Sequence, residues 1–406
     1  SIYKFNKNLN SLSIKKIFNK QNKEDISFLY NVTLNSMRFH FHCIKIINKY
    51  VKKRIRDHEK ILLVSAITQI VFLNFKNYAV INCSVEISKK LKLYPGLINA
   101  TLKEIAKNKD KLSKVKINFY DLPFWFQKKA SFLSTEEKQK FINLFYKEPD
   151  VHIVFKDEER LSQFEDEIIK TSKISGFLLD KKEIQNKKSF IRGDWWVQDF
   201  SSFFTLYNFE LNYKSMKYLD TCAAPGGKSF QILSKKLNII LNDKSKTRIK
   251  TLEANLKRLN LSAQVINKDF TKFNNEERYD VIIIDAPCSS IGTIRKNPEI
   301  LFKNKGPNFN DLISLQESML EKAKILLNDN GFIIYMTCSF LKIETVDQIN
   351  KFIKKNNNFL ISDFKLKQIN NRFSKFIKNN FFITLPNTIS NFSIDGYFAA
   401  ILKKIK

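Results

Sequence analysis

Leu219-Asp220-Thr221-Cys222-Ala223-Ala224-Pro225-Gly226-Gly227-Lys228-Ser229 opens on the apolar signal Lys217–Leu219 and decides the fold. The chain has only nine glycines, and two stand side by side here. A strand that breaks at a Gly-Gly turn and reopens as a helix offers a cradle of backbone N–H groups to a polar ligand. The stretch nearly matches a phosphate loop and then fails. Such a loop needs glycine five positions before Gly227, and Cys222 stands there.

Downstream of this turn the pattern alternates. Candidate strands are Lys217–Thr221, Asn238–Asn242, Gln264–Asn267, Tyr279–Ile284 and Phe332–Met336. Helical stretches Ser229–Lys236, Lys246–Leu259 and Leu312–Leu327 lie among them. The alternation predicts an α/β, Rossmann-like domain with a doubly wound parallel sheet over residues 211–406. Lys354–Asn358 reads as loop.

Upstream, residues 25–110 read as helices. Phe28, Val32, Met37, Phe41 and Ile44 form one stripe; Ile61, Leu62, Ala66, Ile70 and Leu73 form a second. Val80–Leu91 and Leu97–Ala106 follow, broken at Pro95-Gly96. Residues 115–210 mix short elements: Val151–Phe155, Arg160–Thr171 and Ser189–Val197. The expected organisation is therefore an all-helical domain over 1–115, a small mixed α/β domain over 116–210 and the Rossmann-like domain. Trp195 and Trp196 would either stack on bases or pack in a core.

Composition narrows the class. The 406 residues carry a net charge of +30, which calls for a polyanionic partner, nucleic acid first. A coding bias that inflates Lys, Ile, Asn and Phe is the plainer reading; it explains a 30-charge excess less well. The five cysteines are widely spread with no C-x-x-C pair, so neither a zinc site nor a disulfide framework is expected. His40, His42 and Cys43 point to different helix faces, so no metal is expected there either. The longest apolar stretch, Ile61–Phe75, is too short to span a bilayer, and no signal-peptide pattern opens the chain. These features suit a cytoplasmic protein without membrane contact. No dimer seam is visible, and a monomer is expected.

Chemistry collects where the strands end. Asp220, Asp243, Asp269 and Asp285 close the first four, and Thr337-Cys338-Ser339 closes the fifth. Asp243, sixteen positions after Gly227, is placed to accept both hydroxyls of a ribose. Capping of the following helix would explain one such acid, but not the whole series. Cys222, Cys288 and Cys338 all fall at strand ends, with Lys228, Arg295 and Lys296 as candidate cations to favour a thiolate. No histidine occurs beyond His152, which excludes a Ser-His-Asp or Cys-His arrangement in this domain.

The Gly-Gly turn fits the first motif of an S-adenosylmethionine-dependent methyltransferase better than any phosphate loop. That cofactor and a thiolate together suit one reaction. Carbon 5 of cytosine is too electron-poor to take a methyl group directly. A thiolate added at carbon 6 makes it nucleophilic, and loss of the carbon-5 proton then expels the thiolate. Asp285 is the acid expected near ring nitrogen 3, and the target base must be unstacked.

At these residues the chain resembles the Sun/Nop family of RNA cytosine-5 methyltransferases, and its RsmB-like branch in particular. The motifs are Leu219–Lys228, Tyr279–Pro298, Tyr335–Ser339 and Asp395–Ala399, with Val197–Asp199 ahead of them. The resemblance covers nearly the whole chain and implies a NusB-like helical N-terminus and ribosomal RNA, the small-subunit species first, as substrate. It implies Cys338 as nucleophile and Cys288 as the residue that assists product release. It implies S-adenosylmethionine contacts from Cys222, Ala223, Ala224, Pro225, Gly226, Gly227, Lys228, Asp243, Asp269 and Asp285. Lys228 and Asp285 are also in reach of the base.

The chain departs from the family pattern at Ile291, where Thr is usual, and at Asn330, where Gly is usual. Lys342-Ile343-Glu344 replaces Pro-Glu-Glu, which leaves helix capping there in question. Two rival readings remain: a phosphate-loop NTPase, which Cys222 opposes, and a catalytically silent RNA-binding or ribosome-assembly protein on a methyltransferase fold.

Overall fold

The computed structural model describes residues 23–209, 215–274, 277–303, 305–364, 371–389 and 391–405. The expected boundary at 210–211 lies outside the described residues. The chain divides into two compact units: Ser1–Lys147 with Ile294–Pro307, and Glu148–Thr293 with Asn308–Lys406.

The first unit is helical. Lys23–Arg38, His40–Tyr50, Asp57–Ile67, Asn77–Lys90 and Pro95–Lys107 are its main helices. Pro95 opens its helix at a position where no N–H is needed. Ser134 and Glu137 cap Thr135–Phe145 reciprocally. Cys43, Ile46, Leu63, Val64, Ile67, Ile98, Leu102 and Ile105 form the core. Of the second expected stripe, Ala66 and Ile70 are buried in this core, while Leu63, Val64 and Ile67 lie deeper than Ile61 and Leu62. The helix then runs into a π turn over Thr68–Phe72, whose extra residue per turn leaves Leu73, just past it, half-buried. Within the same unit, Arg38 Nη2 donates to the Arg295 carbonyl at 3.2 Å, and His40 meets Phe302 edge-on at 4.7 Å. No described helix is long and apolar enough to cross a membrane.

The second unit holds two main sheets. The smaller is antiparallel: β1 (His152–Phe155), β2 (Ile168–Ser172), β3 (Ser175–Leu178) and β4 (Trp195–Val197), in the order β2-β3-β1-β4. The larger begins with β5 (Tyr218–Asp220), β6 (Ile239–Asn242), β7 (Gln264–Ile266), β8 (Tyr279–Asp285) and β9 (Leu327–Thr337). These five are parallel, in the order β7-β6-β5-β8-β9, at the positions read from sequence. Val281, Ile282, Ile283 and Ile284 are all fully buried, as expected of a strand covered on both faces.

The sheet does not stay parallel. After β10 (Phe359–Ser362), β11 (Ile377–Lys378), β12 (Phe381–Thr384), β13 (Asn387–Ile389) and β14 (Phe392–Ile394), the chain returns as β15 (Tyr397–Lys404). β15 runs antiparallel to β9, and β12 and β10 pair on its far side. The doubly wound parallel reading is corrected to a mixed sheet. Phe-, Asn- and Lys-rich sequence beyond residue 359 hides these short strands, whereas Tyr397–Leu402 is apolar throughout and buried on both faces. Lys354 and Lys355, expected in a loop, end the helix Val346–Lys355, whose Ile349 and Phe352 face the core.

Trp195 and Trp196 are 0% and 2% exposed, so they pack and present no face to a base. Their indole N–H groups are satisfied by Ser189 Oγ at 3.0 Å and Gln198 Oε1 at 2.9 Å. Arg258, at the end of the helix Lys246–Arg258, joins the two sheets. Its Nη1 donates to the carbonyls of Phe190 (2.8 Å) and Trp195 (3.1 Å), and its guanidinium lies 3.9 Å from the Phe190 ring centroid. Arg258→Ala should cost about 2 kcal/mol in denaturant unfolding. Arg258→Lys should recover less than half of that loss, because an ammonium cannot reproduce the planar stack and the fork.

Candidate functional site

The turn after β5 is built as the sequence reading requires. Gly226 has φ +117, and a Cβ there would sit 1.9 Å from the Phe230 ring. Asp220, buried beneath the turn, ties its two ends: Oδ1 accepts from the Cys222 N–H (3.2 Å) and Oδ2 from Ser229 Oγ (2.6 Å). Burial pushes the Asp220 carboxyl up to about 6, against the pull of Ser229 and Lys228. From the end of β6, Asp243 accepts from the Ala224 N–H (3.2 Å) and the Ser245 N–H (2.9 Å), and Arg248 Nη1 lies 3.4 Å away. Gln198 packs against Gly227, and its Nε2 is buried without a protein partner. Asp269 stands one strand further out. It caps the short helix Phe270–Lys272 and pairs with Lys244 at 2.7 Å, and these contacts hold its carboxyl below the usual range.

Lys228 Nζ donates to Asp285 Oδ2 at 2.6 Å. Burial works against the Lys228 ammonium, but Asp285, with Asp220 and Cys338 beyond it, overrides that and raises its pKa. Lys228 lies 5.9 Å from the ring centroid of Tyr397, a residue that sequence reasoning placed in a motif without a role. The Tyr397 hydroxyl is buried and has no protein partner. Arg295 and Lys296, read as candidate cations, belong to the segment that packs with the first unit. Within this unit, Lys228 is the candidate that stands in the site.

Two of the three cysteines are brought together. Cys288 Sγ and Cys338 Sγ stand 3.3 Å apart as free thiols, and Ser290 Oγ is 3.4 Å from Cys338 Sγ. The contact makes the thiols unlike. A hydrogen bond from Cys288 pulls the Cys338 pKa below its ordinary value, helped by Ser290 and Lys228 against burial and Asp285. The same contact, with burial, raises Cys288. Cys222 is set apart: burial, with Asp285 and Asp220 near, pushes its thiol up to about 12.

The loops are held by close backbone packing. The Gly292 N–H donates to the Cys338 carbonyl at 3.0 Å, and the Gly396 N–H to the Gly292 carbonyl at 2.9 Å. A Cβ on Gly292 would sit 1.8 Å from the Gly396 oxygen, so only glycine fits. Asp199 and Asp395 meet here too: the Asp395 N–H points to Asp199 Oδ1 at 3.4 Å, and Ser201 Oγ donates to the Asp395 carbonyl. Asn330, standing for the usual glycine, has φ +62, a region that Asn tolerates better than most side chains.

Residues 210–403 match the family described as 16S rRNA methyltransferase RsmB/F, and residues 3–107 match the NusB family. Ribosomal RNA small subunit methyltransferase B of Shewanella oneidensis is 29% identical over 317 residues, 72% of each chain. The same-named protein of Vibrio vulnificus is 25% identical over 82% of this chain and 83% of its own. Among solved structures, that of PH0851 superposes with a TM-score of 0.71 at 21% identity, over 96% of this chain and 93% of its own. NSun6 from Pyrococcus horikoshii, solved with SFG, gives 0.59 at 17% identity, over 70% and 98%. At these identities the two structures show the fold alone.

The buried Asp220 generates a pH dependence. The folded chain holds this proton up to about pH 6, whereas the unfolded chain releases it near the ordinary value of 3.8. The stabilisation is complete below pH 4 and is lost as the pH rises through 6. Its size is on the order of 3 kcal/mol. Melting temperatures of the wild type should therefore fall between pH 4 and pH 6 relative to those of Asp220→Asn. Parallel profiles for the two proteins would refute the assignment.

Proposed function

Starting from a chain whose residues 210–403 match the RsmB/F methyltransferase family and whose residues 3–107 match the NusB family, we propose that it is an S-adenosylmethionine-dependent RNA cytosine-5 methyltransferase acting on small-subunit ribosomal RNA. The observation that carries the reaction type is the pair of unlike thiols, Cys338 and Cys288, 3.3 Å apart beside Lys228 and Asp285. In this reading residues 1–115 form the helical RNA-docking part, 116–210 the linker domain and 211–406 the catalytic domain. The net charge of +30 supports an RNA partner.

The residues around the turn fit the cofactor. The Gly226 cradle excludes a side chain, and the orphaned Gln198 Nε2 beside Gly227 is a buried donor in want of an acceptor. Cys222–Lys228 would hold it with Asp243, Asp269 and Asp285, Asp243 serving the ribose. When bound, S-adenosylmethionine supplies the electrophilic methyl group that cytosine carbon 5 takes.

The chain's own residues do the rest. The Cys338 thiolate adds to carbon 6 of the flipped-out base. Lys228 and Asp285 contact the base and stabilise the charge that the addition places on the ring. Once carbon 5 carries the methyl group, a base takes the carbon-5 proton, that electron pair re-forms the C5–C6 double bond, and the C6–S bond breaks to return Cys338 as its thiolate, with Cys288 assisting the release.

Tritium transfer from labelled cofactor to unmodified small-subunit ribosomal RNA, followed by nucleoside analysis, tests the reading; label in 5-methylcytosine is the expected result. No label, with cofactor binding intact, would favour the silent RNA-binding alternative. Cys338→Ala should lower methylation by about 10⁴-fold or more with cofactor affinity near normal. Cys288→Ala should instead leave a covalent protein–RNA band on denaturing electrophoresis. Free RNA alone in that lane would remove Cys288 from the release step.

A further inference from the structure

Sequence reading left helix capping around Glu344 in doubt; it stands just ahead of the helix Val346–Lys355, which has no side-chain cap, and its side chain turns inward instead. The side chain is fully buried. Its oxygens accept from both loops that carry the paired thiols: Oε1 from the Ser289 N–H (2.7 Å), Oε2 from Ser289 Oγ (2.5 Å) and from Ser339 Oγ (2.7 Å). Ser289 directly follows Cys288, and Ser339 directly follows Cys338. The grip extends through Gln316, whose Nε2 reaches Glu344 Oε1 (3.4 Å) and the Pro287 carbonyl (2.9 Å). Gln348 Nε2 in turn holds Gln316 Oε1 at 3.0 Å. From below, the Tyr335 hydroxyl donates to the Glu344 carbonyl at 2.9 Å.

A buried carboxylate is costly, and apolar filling would stabilise such a place as well or better. What an apolar side chain could not do is take hydrogen bonds from two strand-end loops at once. The two loops are far apart in sequence: Ser289 lies 55 residues from Glu344, and Ser339 only 5. We propose that Glu344 is the positioning residue that sets the Cys288–Cys338 pair, clamping the residue after each thiol to one shared carboxylate. The inference rests on the reading of those cysteines as the working pair. The clamp also has an electrostatic side. Behind the Cys338 contact and burial, Glu344 adds to the rise in Cys288.

The test uses the purified full chain and two separate readouts. The first is the partition of iodoacetamide between Cys338 and Cys288, followed by peptide mass spectrometry from pH 6 to 10; it needs neither RNA nor turnover. In the wild type the label should fall on Cys338. In Glu344→Gln and Glu344→Ala that preference should drop by about tenfold. The second readout is methyl transfer, where kcat should fall by about a hundredfold with KM for the cofactor within about twofold. Should Glu344→Ala fail to fold, the double variant Ser289→Ala/Ser339→Ala, which keeps the acid and removes two of its donors, should shift the partition the same way. A wild-type partition in the folded variants would overturn the proposal. A wild-type chain that methylates no RNA would instead count against the proposed function, and the alkylation partition would still judge Glu344.

Discussion

The approach of two thiols to 3.3 Å is the constraint around which the second unit is arranged. Neither sulfur could be brought there by a local turn. Cys288 follows β8 and Cys338 follows β9, so the parallel pairing of these strands sets their ends side by side. β15 then fixes the outer flank, with Phe398 opposite Thr337. The Gly292–Gly396 contact closes the gap between the loop after β8 and the start of β15, at a distance that no side chain permits. Each element is ordinary. Their shared geometry brings two thiols from separate strand ends into one contact.

Much of this was legible in the sequence because it is short-range. The Gly-Gly turn, the strand-end acids and the continuous apolar run Val281–Ile284 announce themselves within a few residues. Lys228 and Asp285 could be singled out as chemically apt, and the fold places them 2.6 Å apart. What sequence reading lost was long-range or compensated. The antiparallel half of the sheet is made of short strands in Asn- and Phe-rich sequence, with no clean alternation to reveal them. The π turn at Thr68–Phe72 shifts a helical stripe that a uniform period of 3.6 would keep. Glu344 was visible only as a survivor of a weakened motif. No local pattern says that an acid will turn inward to meet serines from two loops.

The strand-end acids illustrate how similar residues take different work. Asp220 is sealed under the turn and keeps its proton far longer than a free carboxyl. Asp269, with Lys244 and Thr271 against it, is driven the other way. Asp285 is spent on Lys228. A reading by residue type alone would give them one role; depth and partner separate them.

The order of strands in the large sheet has a consequence for how the protein is made. β9 carries Cys338 at its end, yet its outer neighbour β15 begins sixty residues later in the chain. At ordinary rates of synthesis a nascent chain would expose the bare edge of β9 for roughly 3 to 12 s before β15 could cover it. During that interval the nucleophile's strand is an open template for pairing, the kind that chaperones guard. The site would then be completed only once a segment some sixty residues downstream of Cys338 had been made.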